Sequence, residues 1–162
     1  MNDRILVVDD ESVLRNNLVR FLQLQGHDAV GAGSVEEAQA ALEGQAFGLV
    51  VTDLRMPGAD GLSLLRHLQT HQPEALTILM TAYGSVESAV EAMRLGASDY
   101  LLKPVALDEL GRKVASLLAQ RVLHERVRRL RQEVRERAGG VDLVGHSAAM
   151  AAVEDLTSLE AN

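Results

Sequence analysis

The sequence predicts an α/β fold in which five strand–helix units build one parallel sheet with helices on both of its faces. Short apolar runs alternate regularly with amphipathic stretches between residues 5 and 120. The runs at 5–8, 47–51 and 76–80 are apolar at most successive positions, which is typical of strands that are buried on both sides. These two observations together favour a doubly covered parallel sheet.

The first two strand–helix units are predicted in the first 45 residues. Ile5–Val8 is β-branched, continuous and too short for a helix, so we expect a strand there. Residues 11–25 follow with one apolar helical face, formed by Leu14, Leu18, Phe21 and Leu22. A weak second strand is expected near Ala29–Val30. The capping box Ser34–Glu37 then predicts a helix that runs to about residue 45.

Three further strands are predicted at Phe47–Thr52, Leu76–Thr81 and Tyr100–Leu102. The third helix is expected after Gly61, and the fourth is expected to close at Gly96. The apolar stripes of these two helices are Leu62, Leu65 and Leu68, and then Val86, Ala89, Val90 and Met93.

Composition and charge exclude several classes of protein. The 162 residues contain no cysteine, so we expect neither disulfides nor a thiolate metal site. The amino terminus lacks the shape of a signal peptide, and no stretch approaches the roughly 20 apolar residues of a membrane span. A cytoplasmic protein without membrane contact is therefore expected.

The net charge of −7 is unevenly distributed along the chain. Acids dominate residues 1–107 and 139–162, whereas bases dominate residues 108–138. An acidic body argues against nucleic acid as its own partner. Because the charges of the basic segment are mixed in sign and follow a helical pattern, we interpret them as a solvated helix face.

Polar residues stand at the end of four of the five predicted strands or directly after it. They are Asp9 and Asp10, Asp53, Thr81 and Lys103. In such folds ligands bind outside the carboxyl ends of the strands, so these side chains are expected to converge. Clustered carboxylates suit Mg²⁺, a lysine and a threonine suit phosphate oxygens, and an aspartate can itself become phosphorylated.

The residues at these strand ends lie in motifs of a known family. Val7–Asp10, Asp53–Gly61, Thr81–Ala82 and Asp99–Pro104 occur in the order and at the spacing of the receiver domain of two-component response regulators. From residue 3 to about residue 120 the chain resembles this family. The resemblance implies a flavodoxin-like fold with strand order 2-1-3-4-5. It also implies a regulatory domain rather than an enzyme.

The resemblance implies a role for each acid of the site. Asp53 would be the phosphoacceptor, with a histidine kinase as the phosphoryl donor. Asp10, Asp53 and the backbone carbonyl of Arg55 would hold Mg²⁺, and Asp9 would act partly through water.

The resemblance also implies the switch residues. Lys103 would pair with the phosphoryl group, and Thr81, followed by Ala82, would move toward it. Tyr100 would then repack inward. Arg55 and Tyr83 flank the site, either as residues that tune the lifetime of the phosphoryl group or as exposed loop residues.

Two other phosphoryl chemistries fail on the sequence. A haloacid-dehalogenase phosphatase needs a second acid two residues after its aspartate, where this chain has Arg55. A P-loop nucleotidase needs Gly-Lys followed by Ser or Thr, but Lys103 follows a leucine and Lys113 follows an arginine.

The fifth helix is predicted to continue far beyond the receiver. No proline interrupts residues 107–135. A first apolar stripe consists of Leu107, Leu110, Val114 and Leu117, and a second stripe begins in a different phase. It consists of Leu123, Val127, Leu130 and Val134. We expect this stripe to form a coiled coil in a homodimer. The alternative is that it packs within its own chain.

The last segment contains a second resemblance. Leu143–Ser147 and Met150 resemble the opening of the AAA+ domain of NtrC-type, sigma-54-dependent activators. We therefore expect a receiver at 1–118, a helical coiled-coil linker at 119–138 and the start of a truncated AAA+ domain at 139–162. DNA and sigma-54 RNA polymerase would be contacted only through further carboxyl-terminal domains. The alternatives are a stand-alone phosphorelay or protein-binding receiver, and a receiver linked to a helix-turn-helix domain.

Overall fold

In the computed structural model, which describes residues 3–58, 60–82 and 86–138, strands and helices alternate along the chain. The strands are β1 (Ile5–Val8), β2 (Ala29–Ala32), β3 (Leu49–Asp53), β4 (Leu76–Ala82) and β5 (Asp99–Lys103). The helices are α1 (Ser12–Leu24), α2 (Val35–Gly44), α3 (Gly61–His71), α4 (Val86–Arg94) and α5 (Leu107–Ala138).

The five strands form one parallel sheet in the order β2-β1-β3-β4-β5. The predicted fold class and strand order are therefore confirmed. Strand ends differ from the predictions by at most two residues; β3, for example, begins at Leu49 rather than Phe47. Phe47 is nevertheless buried, at 2% exposure, so the apolar pattern marks the core more accurately than it marks the hydrogen-bonded ladder.

Both faces of the sheet are covered, as the continuous apolar strands predict. Ile5 and Val7 belong to the core on the side of α1 and α5, whereas Leu6 and Val8 belong to the core on the side of α2 and α3. All four side chains are fully buried. Both faces of β1 are closed to solvent. Asp9 and Asp10, the polar residues that follow β1, therefore lie at its carboxyl end.

The register of the sheet aligns the carboxyl ends of β1, β3, β4 and β5. Val8 lies opposite Thr52, Asp53 lies opposite Met80, and Ala82 lies opposite Lys103. The residues that follow these pairs therefore leave the sheet along one edge. This edge is where the sequence predicts the functional residues.

The helices begin where their capping residues predict. Ser34 accepts a hydrogen bond from the backbone N–H of Glu37, at 3.1 Å, at the start of α2. The Glu37 carboxylate, instead of closing the capping box on Ser34, accepts from the N–H of Gly33 at 2.6 Å. Asp60 caps α3 by accepting from the N–H of Ser63 at 3.1 Å.

The long fifth helix is confirmed, since α5 runs over 32 residues. By compactness the chain divides into two units, Met1–Leu118 and Ala119–Asn162. In the first unit, Leu110, Val114 and Leu118 of α5 are buried in the core beneath β1 and β3. Among the residues that the structure describes, no helix has the length and apolarity needed to cross a membrane.

Gly61 allows α3 to start directly against the end of β3. A Cβ atom at this position would collide with the backbone carbonyl oxygen of Asp53 and lie 3.1 Å from the Cα of Leu54. Backbone atoms cannot move aside as a flexible side chain can. The close approach is also held by a 2.9 Å hydrogen bond from the Gly61 N–H to the Leu54 carbonyl.

We therefore expect Gly61→Ala to lower the free energy of unfolding by about 1–3 kcal/mol, the usual cost of overpacking. Urea denaturation would measure it. The matched control is Gly44→Ala at the end of α2, where an added Cβ meets nothing within 4 Å. That variant should be as stable as the parent or slightly more stable, because alanine is the better helix former. Equal stability of the two variants would contradict the packing assigned to Gly61.

Candidate functional site

Three carboxylates meet at the carboxyl edge of the sheet. Asp9 and Asp10 follow β1 and Asp53 ends β3, and each offers an oxygen within 4.8 Å of the others. Asp9 is fully buried and Asp53 is 7% exposed, whereas Asp10 is exposed. The structure thus brings together the three acids that the sequence singled out.

Lys103, the last residue of β5, neutralises part of this cluster. Its ammonium nitrogen lies 2.9 Å from Oδ2 of Asp9 and 3.0 Å from Oδ2 of Asp53. A third acid, Glu11, has a carboxylate oxygen 3.9 Å from the same nitrogen. A single lysine therefore joins the ends of β1, β3 and β5.

Backbone N–H groups hold the second oxygen of both buried carboxylates. Oδ1 of Asp9 accepts from the N–H of Glu11 at 2.9 Å, and Oδ1 of Asp53 accepts from the N–H of Arg55 at 3.3 Å. The side chain of Arg55 is exposed. Because both oxygens of Asp53 have donors, its carboxylate plane is fixed before any ligand binds.

Burial and charge act in opposite directions on Asp53. Burial raises the pKa of its carboxyl above the ordinary value of 3.8, and the nearby charge of Asp9 adds to this effect. The hydrogen bond and the charge of Lys103 lower the pKa but do not compensate fully. An ionised Asp53 is therefore held at a cost, which favours any cation that can bind beside it.

Lys103 responds to the same surroundings. Burial lowers the pKa of its ammonium, but the hydrogen bonds to Asp9 and Asp53 outweigh burial and raise the pKa above its usual value. The side chain therefore stays charged throughout the physiological range. It is a permanent cation between two carboxylates.

The donor set fits a hard divalent cation. Mg²⁺ takes oxygen ligands and keeps several of its waters, so it needs only one or two carboxylates in direct contact. Here one exposed and two buried carboxylates face one ammonium, which leaves negative charge in excess. The cluster is the acidic pocket that is typical of a receiver Mg²⁺ site.

Thr81 lies at the same edge of the sheet. It is 3% exposed, and its hydroxyl donates to the carbonyl of Ala82 at 3.1 Å. Tyr100 is 42% exposed, and Nζ of Lys113 lies 5.6 Å from the centre of its ring. In this structure Tyr100 is therefore turned outward, away from the inward position that the resemblance implies for the switched state. Tyr83 falls outside the described residues.

Two residues near the pocket escaped the sequence analysis. Glu11 supplies a backbone donor to Asp9 and a carboxylate near Lys103, and its place directly after two acids was an available signal. Arg15 donates from Nη1 to the backbone carbonyl of Asp9 at 2.8 Å. No sequence pattern distinguishes this arginine from others on exposed helix faces, because its role depends on the path of β2.

The predicted dimer stripe lies in the second unit. Leu123 is 46% exposed and Leu130 is 39% exposed, whereas Val134 is partly buried. Val127 is already buried, at 7% exposure. Residues 139–162, with the predicted AAA+ opening, lie outside the described part of the chain.

Comparison with known proteins identifies the family. Residues 5–115 match the model of the response regulator receiver domain, and the chain belongs to this family. The assignment agrees with the sheet order and with the acidic pocket, and it defines a regulatory domain rather than an enzyme.

The chain matches part of the length of several longer relatives. The alginate biosynthesis transcriptional regulatory protein AlgB of Pseudomonas aeruginosa is 39% identical over 150 residues, which cover 93% of this chain and 33% of AlgB. The transcriptional regulatory protein FixJ of Bradyrhizobium diazoefficiens is 41% identical over 119 residues, 72% of this chain and 57% of FixJ. A crystal structure of NtrX from Brucella abortus matches with a TM-score of 0.76 and 34% identity, covering 80% of this chain and 30% of NtrX. The chain spans about a third of AlgB.

We expect Asp53→Asn to raise the Tm by a few degrees at pH 7 in EDTA. Because the native pKa of Asp53 is raised, its ionisation costs the folded state stability as the pH rises through that pKa. The amide cannot ionise, so the gain should shrink as the pH falls toward 3.8. Differential scanning calorimetry at several pH values would measure it.

The control is Asp3→Asn, which removes the same charge from an exposed residue before β1, at the opposite edge of the sheet. It should leave the Tm nearly unchanged. A gain for Asp53→Asn that did not vary with pH would contradict the electrostatic origin assigned to it.

Proposed function

We propose that this receiver accepts a phosphoryl group on Asp53 from a histidine kinase, in the presence of Mg²⁺. The observation that carries the proposal is the pairing of the Asp53 carboxylate with Lys103 inside a cluster of three acids. A buried, oriented carboxylate of this kind can act as a nucleophile. One of its oxygens would bond to phosphorus while the bond from phosphorus to the donor imidazole breaks, and the leaving imidazole would take a proton.

The residues of the pocket would share the work of this transfer. Asp10, Asp53 and the Arg55 carbonyl would hold Mg²⁺, with Asp9 acting partly through water. When bound, the ion would offset the negative charge of the transferring group. Lys103 would exchange its contact with Asp53 for a phosphoryl oxygen while it kept its 2.9 Å contact with Asp9.

Phosphorylation would then be reported by Thr81 and Tyr100. The hydroxyl of Thr81 donates to the carbonyl of the next residue, a single local hydrogen bond that it could exchange for one to a phosphoryl oxygen at little cost. The space it leaves would allow the outward Tyr100 ring to move in. Phosphorylation of Asp53 at the end of β3 would thereby shift the equilibrium between two conformations of Thr81 and Tyr100 on β4 and β5.

In the parent protein, we propose, this switch controls a sigma-54-dependent AAA+ transcription activator in the cytoplasm. The match to AlgB supports this output because its 150 residues continue well beyond Leu118, into the linker and the segment with the AAA+ resemblance. The match to FixJ, of which 57% is covered, keeps open a receiver with a much shorter output region, such as a helix-turn-helix domain. The full gene sequence would distinguish these two outputs, because only a sigma-54-dependent AAA+ activator would continue into a Gly-Lys phosphate-binding loop.

We also propose that the segment 119–138 joins two copies of the chain. Leu123 and Leu130 support this, since they lie seven residues apart on α5 and both remain exposed in the single chain. Val127 contributes less, because it is already buried there. The charged residues between them would form the solvated sides of a parallel pair of helices.

We expect Asp53→Asn to abolish covalent labelling by acetyl phosphate with Mg²⁺, whereas Asp3→Asn should label like the parent. Intact-protein mass spectrometry would measure both. Persistent labelling of the Asp53 variant would overturn the site assignment.

Lys103→Ala should still accept the label but fail to change its state of assembly afterwards, because the contact between the ammonium and the phosphoryl group is missing.

We expect the chain truncated after Leu118 to be monomeric at concentrations where the full chain self-associates. Light scattering at several concentrations, with and without beryllofluoride and Mg²⁺, would measure this. In the full chain, replacing Leu123 and Leu130 together by lysine should have the same effect, and replacing the exposed Gln132 by lysine should not. A truncated chain that stays equally associated would refute the linker dimer.

A further inference from the structure

Arg15, on the first turns of α1, reaches back to the end of β1. Its Nη1 donates to the backbone carbonyl of Asp9 at 2.8 Å. The backbone N–H of Asp9 donates in turn to the carbonyl of Ala32, at the end of β2, at 3.1 Å. The two peptide groups that flank the Cα of Asp9 are therefore held separately, one by β2 and the other by the guanidinium.

Two glycines make room for this side chain. A Cβ atom on Gly31 would lie 3.1 Å from Cδ of Arg15, and a Cβ atom on Gly33 would lie 2.9 Å from its Nη1. The arginine therefore lies directly over the backbone at the end of β2. Any larger residue at these positions would have to displace it.

The loop beneath the guanidinium is itself held in place. The N–H of Gly33 donates to the carboxylate of Glu37 at 2.6 Å, a charge-assisted hydrogen bond to the first turn of α2. Arg15 thus bridges a fixed loop and the carbonyl of Asp9. This contact restrains the turn between β1 and α1, where the N-cap residue Glu11 makes no side-chain capping hydrogen bond.

The contact between Arg15 and the Asp9 carbonyl affects the position of Asp10. The carbonyl of Asp9 and the N–H of Asp10 belong to one planar peptide group, so holding the oxygen sets the direction in which the backbone of Asp10 leaves β1. Lys103 holds the carboxylates of Asp9 and Asp53 directly. Within the part of the chain that the structure describes, the Asp10 carboxylate has no hydrogen bond or ion pair, so its direction depends on its backbone.

We propose that Arg15 is a positioning residue that aims Asp10 at Mg²⁺. This inference rests on the metal binding proposed above and adds a residue that touches neither the ion nor the phosphoryl group. Residues that orient a metal ligand change metal affinity by about 10–100-fold when they are replaced. Because Arg15 acts through a backbone carbonyl, we expect an effect near the lower end of that range.

Isothermal calorimetry of the full chain with MgCl₂ tests the inference. Arg15→Met should raise the Kd for Mg²⁺ about tenfold. At saturating Mg²⁺ its maximal rate of labelling by acetyl phosphate should remain close to that of the parent. Arg15→Lys, which can still donate to the carbonyl, should recover part of the affinity. The matched control is Arg20→Met, on the exposed face of α1, which should bind Mg²⁺ like the parent.

A second variant separates positioning from general damage. In Gly33→Ala the new Cβ would push the guanidinium off the Asp9 carbonyl while the charge of Arg15 is retained. Its Kd should rise in the same direction with little change in Tm, because a flexible side-chain end moves at low cost. An unchanged Kd in either Arg15→Met or Gly33→Ala would overturn the inference. If the unsubstituted chain binds Mg²⁺ and is labelled normally, the proposed function survives that result. If the unsubstituted chain does neither, the proposed function and the role of Arg15 are both refuted.

Discussion

The ammonium of Lys103, shared between Asp9 and Asp53, is the interaction on which the rest of the site depends. It joins three strand ends that are far apart in sequence, and it offsets part of the repulsion among buried carboxylates. It does not neutralise the pocket, and burial still raises the pKa of Asp53. The pocket therefore keeps an excess of negative charge, which is the condition that favours a divalent cation.

The sheet delivers this arrangement through its register and its tight crossing to α3. Because Asp53 lies opposite Met80 and Ala82 lies opposite Lys103, the functional residues emerge along one edge. Gly61 brings the start of α3 against the Asp53 carbonyl, and Gly58, between β3 and α3, has a φ of +86°. The connection from Asp53 to α3 therefore depends on two backbone positions that few other residues would permit.

The sequence predicts most of this because buried parallel strands leave a clear pattern. Continuous apolar runs gave the sheet, and polar residues just after them gave the acids and the lysine. Two features could not be read in this way. The exposure of the Tyr100 side chain depends on tertiary packing, and the contact of Arg15 with Asp9 depends on where Gly31, in β2, and Gly33, just after β2, pass in space.

The most direct test of the account is to locate the phosphoryl group itself. Borohydride reduces an aspartyl phosphate to homoserine, so reduction of the labelled protein followed by peptide mass spectrometry marks the modified residue. The account predicts homoserine at position 53 and unmodified aspartate at positions 9 and 10. Homoserine at either of those positions, or at none, would contradict it.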